Sequence, residues 1–297
     1  MKLPGSLCYL FVLLFLSVSL QSQEIAYGFK AGLNFSRLDG DSEMDAAGNS
    51  VEQEEMATGF HVGAEVKFKF TELMGLKTGL VFSQRGGERR FDGEGFQFFI
   101  ADSENRVKAE GTRRTVVNVT NSYLDVPLTG YALLWERLEI FAGGQISFLV
   151  GSNGTGDFSF DGNSVVSNTP ILIESQLLSH NYYNDGSPNL EDIQELELFT
   201  VQADGEFITI PEEVTAYYNF GEKDGSIYNV LDLGLHAGLS YYFNKGLYTS
   251  FTFQYGLLDA TRDRYDVSQV MSDGLEYIER DDVDRNLSLQ VSIGFSF

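Results

Sequence analysis

The sequence predicts an all-β protein, an antiparallel up-and-down transmembrane β-barrel of about eight strands, and three observations carry that prediction. Large apolar residues recur at every second position in segment after segment, the period of a strand with one apolar face. The connections between those segments alternate between short and long. Beyond residue 22, no stretch approaches the ~20 apolar residues of a transmembrane helix, so a span here has to be made of strands.

The chain opens with a targeting segment. Lys2 supplies the positive end, Leu7 to Leu20 is an apolar run of about 14 residues, and Ser17, Ser19 and Ser22 are the small residues that close it. Residues 1–22 are expected to be a signal peptide cleaved between Ser19 and Glu24, leaving 23–297 as the barrel domain. Cys8 sits near the start of the apolar run rather than at its end, which argues against a lipid anchor. It is the only cysteine, so disulfides and thiolate metal sites play no part in the remainder. The net charge is −23, and loss of Lys2 alone takes it to −24. Nucleic acid is a poor partner for such a chain.

The strands follow in order. In 27–35, Tyr27, Phe29, Ala31, Leu33 and Phe35 alternate with Gly28, Lys30, Gly32 and Asn34. In 60–70, Phe60, Val62, Ala64, Val66, Phe68 and Phe70 alternate with His61, Gly63, Glu65, Lys67 and Lys69. In 76–85, Leu76, Thr78, Leu80 and Phe82 oppose Lys77, Gly79, Ser83 and Arg85. A fourth strand spans about 116–134, with Leu124, Val126 and Leu128 opposite Tyr123, Asp125 and Thr129. The fifth covers 138–150, the sixth 228–243, the seventh 247–258 and the eighth 287–297. The last reads LSLQVSIGFSF, with Leu287, Leu289, Val291, Ile293, Phe295 and Phe297 on one face. A terminal strand ending in Phe297 resembles the C-terminal signal read by bacterial barrel-assembly machinery, which makes that machinery and outer-membrane lipid the expected partners.

Residues 71–74, 135–137 and 244–246 are tight turns, whereas 39–57, 86–115, 151–227 and 259–284 are long connections. That asymmetry matches the periplasmic and extracellular ends of an outer-membrane barrel, with both termini periplasmic. Tyr27, Phe29, Phe68, Phe70, Tyr241, Phe243, Phe295 and Phe297 gather at the short-turn end, where an interfacial girdle belongs. Alternation alone does not say which face is inside, because a soluble barrel would turn its apolar face inward. Glycine on the polar face (28, 32, 63, 79, 143, 234, 238, 256, 294) suits a narrow lumen and puts the apolar face on lipid. Residues 39–57 hold seven acids and no base, and 151–227 hold fourteen acids against Lys223 alone, while 86–115 balance their charges with arginines and lysine. Within the third connection, Leu198–Gln202, Asp204-Gly205 and Phe207–Ile210 spell a β-hairpin that would extend the barrel wall. Leu190 to Leu196 is a candidate short helix.

GFKAGLNFSRL at 28–38, GLKTGLVFSQRGG at 75–87, SYLDVPLTGYALL at 122–134, FAGGQISFLVG at 141–151, LDLGLHAGLSYYF at 231–243 and YGLLDA at 255–260 resemble the PorT-like family of outer-membrane β-barrel proteins. Tyr123-Leu124-Asp125-Val126-Pro127-Leu128 is similar to that family's YLEIP strand. The resemblance covers every strand and their order but not the third connection. It implies an integral outer-membrane barrel with no catalytic residues to carry over, and its namesake points to an accessory role in protein secretion across that membrane. Pro127 removes a ladder donor in mid-strand, so a bulge is expected there.

The polar face assembles Lys30, His61, Glu65, Lys67, Lys77, Asp125, Glu139, Asp232 and His236. These charges suit an internal salt-bridge network plugging a narrow barrel better than an ion path. His61, His180 and His236 are the only histidines, and none has a serine and an acid at a motif spacing, so no catalytic residue is assigned and no enzyme is expected. Asp39-Gly40-Asp41-Ser42-Glu43-Met44-Asp45 has the alternating acids of a calcium loop but lacks Gly at the sixth position and Glu at the twelfth, where Ser50 stands. Asp281-Asp282-Val283-Asp284 is a second acidic cluster. Both are expected to be solvated surface, and neither metal nor cofactor is assigned. The function expected is a non-enzymatic structural or binding role in the envelope, the alternatives being the secretion accessory, with envelope or secretion proteins as partners, and a small-solute pore.

Overall fold

The computed structural model describes residues 24–186, 197–220 and 222–297; the expected signal peptide and the candidate helix at Leu190–Leu196 lie outside them. The strands are β1 (Glu24–Asp39), β2 (Glu52–Glu55), β3 (Ala57–Lys69), β4 (Met74–Ile100), β5 (Arg106–Leu134), β6 (Leu138–Ser164), β7 (Pro170–Asn181), β8 (Glu197–Ala203), β9 (Glu206–Pro211), β10 (Glu213–Val214), β11 (Leu231–Tyr242), β12 (Leu247–Gly256), β13 (Val267–Asp273), β14 (Glu276–Glu279) and β15 (Arg285–Ser296). No helix is long and apolar enough to cross a membrane.

Eight strands close into a ring in the order β1–β3–β4–β5–β6–β11–β12–β15 and back to β1, antiparallel at every step. Closure leaves no free strand edge along the ring, the condition for strands in hydrocarbon. Phe29, Leu128 and Ile293 point outward and are 59, 60 and 65% exposed, while Ser288, Gln290 and Ser292 point inward and are at most 1% exposed. A barrel in water inverts that pattern, so this is a transmembrane barrel with lipid outside. The glycines of the inner face make room for rings crossing the lumen. A Cβ on Gly294 would lie 2.2 Å from the Tyr248 ring, and one on Gly238 would lie 2.6 Å from Phe141.

At the short-turn end Tyr27 and Phe297 exchange backbone hydrogen bonds of 3.0 and 2.8 Å, tying the chain's end to its first strand. Phe297 stacks on Phe29 with ring centres 6.1 Å apart, and Tyr241 meets Phe243 at 5.5 Å. Asn244 Oδ1 accepts from the N–H groups of Gly246 and Leu247, closing the β11–β12 turn.

The ladder corrects the reading of Pro127. Register is unbroken through it, with Thr78 opposite Leu128 and Val81 opposite Asp125, and Pro127 itself opposite Gln145 on the other side. The intervening β4 pairs are absent, as a missing donor requires, and Thr78 Oγ1 donates to Pro127 O at 2.8 Å. The bulge falls earlier, between Ser122 and Tyr123, where Val150 is the extra residue of β6. Its effect is to switch the inward positions of β6 from odd (Gln145, Ser147, Leu149) to even (Ser152, Phe158, Phe160).

Two of the long connections are largely strand. A tilted strand crosses hydrocarbon in about 9–11 residues, yet β4, β5 and β6 have 27, 29 and 27. Over 86–100 and 106–121 the β4–β5 ladder continues without interruption to Ile100 opposite Arg106. With β7 joining β6, four strands rise beyond the apolar belt as an open sheet. The Asp204-Gly205 hairpin forms as expected, with φ of 56° and 84° at its two central residues. It is not part of the wall, however: β8 and β9 make a separate sheet. Ile208 and Ile210 are buried against Phe99, Phe158, Phe160, Ile171 and Ile173 of the extension, giving this end a hydrophobic core of its own. A second core, with Leu38, Val119, Tyr123, Leu149, Tyr182, Tyr217, Tyr228 and Tyr265, lies across the top of the polar lumen. We refer to this whole assembly as the cap.

Candidate binding site

The lumen is the first place to look for chemistry, and all nine charged or histidine residues expected there are found facing it. At the short-turn half, Lys77 Nζ lies 2.6 Å from Glu139 Oε1, and Lys67 Nζ lies 3.5 Å from Glu139 and 3.7 Å from Glu65. The hydroxyl of Tyr248 donates to Glu65 at 2.9 Å and that of Tyr242 to Glu139 at 3.2 Å, while Lys67 also binds the Tyr242 hydroxyl. Higher up, Arg85 pairs with Asp125 and approaches Asp232 at 3.8 Å, with its guanidinium 4.3 Å above the Tyr123 ring. Asn286 donates to Asp232 at 3.0 Å. Cations and anions thus alternate up a filled interior, as expected of eight strands. A central cavity of about 40 Å³, lined in part by Lys30, has room for a few waters at most.

The structure also joins three residues that spacing does not. His61 Nδ1 lies 2.7 Å from Asn34 Oδ1, and His61 Nε2 lies 2.7 Å from Ser292 Oγ. That is the connectivity of a Ser-His-Asn relay. Ser292 and His61 are each only 1% exposed, so the hydroxyl is shielded from solvent. The relay works as a cross-link between β1, β3 and β15. His236 meets Thr129 at 2.7 Å and His180 meets the Tyr182 hydroxyl at 3.0 Å.

Five acids of the long connections, Glu52, Glu54, Asp266, Asp282 and Asp284, converge on two arginines, while others such as Asp41, Glu212, Glu213 and Asp281 lie in solvent as expected. Arg89 reaches Glu54, Glu52 (3.4 Å) and Asp284 (3.0 Å), and Arg280 reaches Glu52 (2.7 Å), Asp282 (2.7 Å) and Asp266 (3.8 Å). Asp45 caps its own turn through the N–H groups of Ala47 and Asn49. Among the described residues no group of three or more His, Cys, Asp or Glu side chains is placed to hold a metal. Burial, seconded by a hydrogen bond with Asp282, pushes the Asp266 carboxyl up to about 8, with Arg280 opposing. Burial raises Glu54 to about 6 against the pull of Arg89, and it lowers His180 to about 4.

The cap holds the cavity that matters. About 180 Å³ in volume, it is enclosed by the extensions of β4, β5 and β6, by β7, and by residues 214–220 and 265–280. Its wall is aromatic, with Phe91, Phe99, Phe158, Tyr218, Tyr228 and Tyr277 among its residues. Polar side chains enter it from separate segments, Gln97, Arg113, His180 and Gln269 among them, together with Gln176, Asn219 and the ion-paired Glu52, Arg89, Asp266 and Arg280. Sequence reading assigned Gln97 and Arg113 to a charge-balanced loop and passed over the site. The signal was present in Arg113, Thr115, Val117 and Val119, which continue the inward odd positions of Tyr123 and Asp125.

Residues 21–262 match the model of a family described as outer membrane protein beta-barrel domain. Solved structures of other barrels resemble the chain, three of them as follows. Ail, the attachment invasion locus protein of Yersinia pestis, is 12% identical, with 92% of this chain and 99% of that one covered and a TM-score of 0.34. Neisserial surface protein A is 8% identical, with coverage of 92% and 99% and a TM-score of 0.35. OprG of Pseudomonas aeruginosa is 9% identical, with coverage of 93% and 97% and a TM-score of 0.36. No curated protein matches the sequence.

Proposed function

The chain belongs to the outer membrane protein beta-barrel domain family, and from that premise we propose that it is a closed, non-enzymatic barrel that displays a binding cap outside the cell. The family's home is the bacterial outer membrane. One observation carries the reading. The lumen is filled by its own ion pairs, while the cap, built on strands that continue far beyond the apolar belt, encloses an aromatic cavity with polar groups turned into it. Binding sites have that composition. The short turns, the first strand's start and Phe297 share one end, which we assign to the periplasm, as small barrels keep their short turns there. The terminal strand ending in Phe297 is then the element offered to the assembly machinery.

The orientation is testable because no cysteine follows Cys8. Single cysteines at Val166 and Gly205, in the cap, should react with a membrane-impermeant maleimide on intact cells. Cysteines at Trp135 and Lys245, in the short turns, should react only after lysis. The reverse pattern would overturn the assignment.

A second reading, a PorT-like accessory of secretion, is favoured by the strand motifs around Tyr123 to Leu128 and by the charged mouth at the short-turn end, where Lys67, Lys69, Arg137 and Lys245 gather with Glu24 and Glu139. It expects secretion-machinery components to copurify with the barrel in mild detergent. It also expects deletion to abolish export of cargo. Recovery of the barrel alone with export intact would exclude it.

A further inference from the structure

We propose that the cap cavity binds a small hydroxylated aromatic acid, a single ring bearing one carboxylate and a phenolic hydroxyl. The inference rests on the reading of the cap as a binding module and names its ligand class.

Size comes first. An apolar cavity of about 150 Å³ accepts one benzene ring, so about 180 Å³ accepts a ring with small substituents. The aromatic walls supply stacking and edge contacts for such a ring.

Charge comes second. Arg113 is 6% exposed, donates from Nε to Thr115 Oγ1 and from Nη1 to Phe96 O, both at 3.2 Å, and lies 5.3 Å from the centre of the Phe158 ring. Among the described residues no carboxylate comes within 4.0 Å of it, whereas Arg85, Arg89 and Arg280 each hold at least two acids. Glu43, an acid whose charge reaches Arg113, is engaged by Ser268 and by the N–H groups of Gln269 and Val270. A buried guanidinium without an anion is unfavourable, and a ligand carboxylate supplies the missing partner in the geometry that guanidinium prefers.

The acceptors come third. Gln97 is 4% exposed, and its amide nitrogen donates to Phe98 O at 2.9 Å and Asn219 Oδ1 at 2.6 Å, leaving Oε1 buried without a partner. Gln269 Oε1 and His180 Nε2, in the same lining, are also buried without partners. Gln97 Oε1 and Gln269 Oε1 are acceptors that call for a donor, and His180 Nε2 gives or takes a proton according to the tautomer set by Tyr182; a phenolic hydroxyl, which an aromatic acid carries, serves either. A fatty acid brings no hydroxyl.

The test uses the purified full-length barrel in detergent, with 3- and 4-hydroxybenzoate as probes and benzoate and 4-hydroxybenzyl alcohol as comparators, read by calorimetry and saturation-transfer NMR. One hydroxybenzoate should bind saturably, with 4-hydroxybenzyl alcohol weaker by about tenfold or more for the lost charged contact and benzoate weaker by about three- to tenfold for the lost neutral hydrogen bond. Arg113→Gln should abolish the preference for acid over alcohol. Gln97→Leu should abolish the preference for hydroxybenzoate over benzoate, and it carries the test if Arg113→Gln does not fold, with heat-modifiable gel migration as the check. Absence of saturable binding to the wild type, or unchanged preferences in a folded variant, would overturn the ligand assignment. Failure here in a non-conducting barrel removes the ligand and leaves the proposed function. Binding in a conducting barrel does the opposite.

Discussion

Glu139 receives Lys77 at 2.6 Å, Lys67 at 3.5 Å and the Tyr242 hydroxyl at 3.2 Å, so it and Glu65, 3.7 Å from Lys67, balance the charge of the short-turn half of the lumen. Glu139→Gln leaves Lys77 without its ion-pair partner and Lys67 with Glu65 alone, and should cost roughly 3–5 kcal/mol of unfolding free energy. Adding Lys77→Met should recover part of that loss, and denaturant titration in lipid vesicles reads both. Ser292, held by His61, should behave as a structural hydroxyl. A fluorophosphonate should leave it unlabelled in the folded barrel, and Ser292→Ala should lower stability by about 1 kcal/mol, the worth of one hydrogen bond. Labelling at Ser292 would mean that the relay is reached by substrate. At this scale the lumen residues were legible from sequence because a strand's period of two fixes the face of each side chain. The relay among Asn34, His61 and Ser292 was not, since it depends on the register between three strands.

At the scale of elements, faces and registers make sharper predictions than propensities. Val291, 46% exposed to lipid, should cost roughly 2–4 kcal/mol on replacement by Arg, whereas the neighbouring inward Gln290→Asn should change stability by less than about 1 kcal/mol. Equal effects on the two faces would contradict the outward assignment of the apolar side. The β13–β14 hairpin carries a pH dependence. Asp266, raised to about 8, keeps a proton in the folded cap that the unfolded chain releases near its ordinary value of 3.8. Stability from this group therefore falls as pH rises through that window and levels off above 8. Glu54, raised to about 6, acts in the same direction at lower pH, while His180, lowered to about 4, acts oppositely and only below its ordinary 6.5. Between pH 6.5 and 8 Asp266 dominates the three. Amide exchange in Val267–Glu279, corrected for intrinsic rate, should show less protection at pH 8.5 than at 6.5, and Asp266→Asn should flatten the difference. Identical behaviour of the variant would refute the assignment. The eight barrel strands were readable as period-two runs, but where β4, β5 and β6 end was not. Arginine, glycine and acid residues interrupt the apolar alternation once lipid no longer demands it, and pairing continues through them regardless. Pro127 misled for the opposite reason, since losing one donor cost two ladder pairs without shifting the register.

For the whole molecule the division of labour follows from where space is left. Eight strands leave an interior that its own side chains nearly fill, which under the proposed function makes the barrel an anchor, and a cavity roomier than the central one, with an aromatic wall and unpartnered polar groups, lies in the cap. Barrel closure and lipid orientation were legible because they require only alternation and turn lengths. The cap was not, because its cores join segments far apart in sequence, such as Phe99, Phe160 and Ile210, that no local pattern links. Planar-bilayer recording of the purified protein tests the central claim most directly. The account predicts no steady or stepwise conductance for the wild type at either polarity. Stable open-channel steps would contradict it, showing that the ion pairs of Lys67, Lys77, Glu139 and Arg85 line a path instead of closing one.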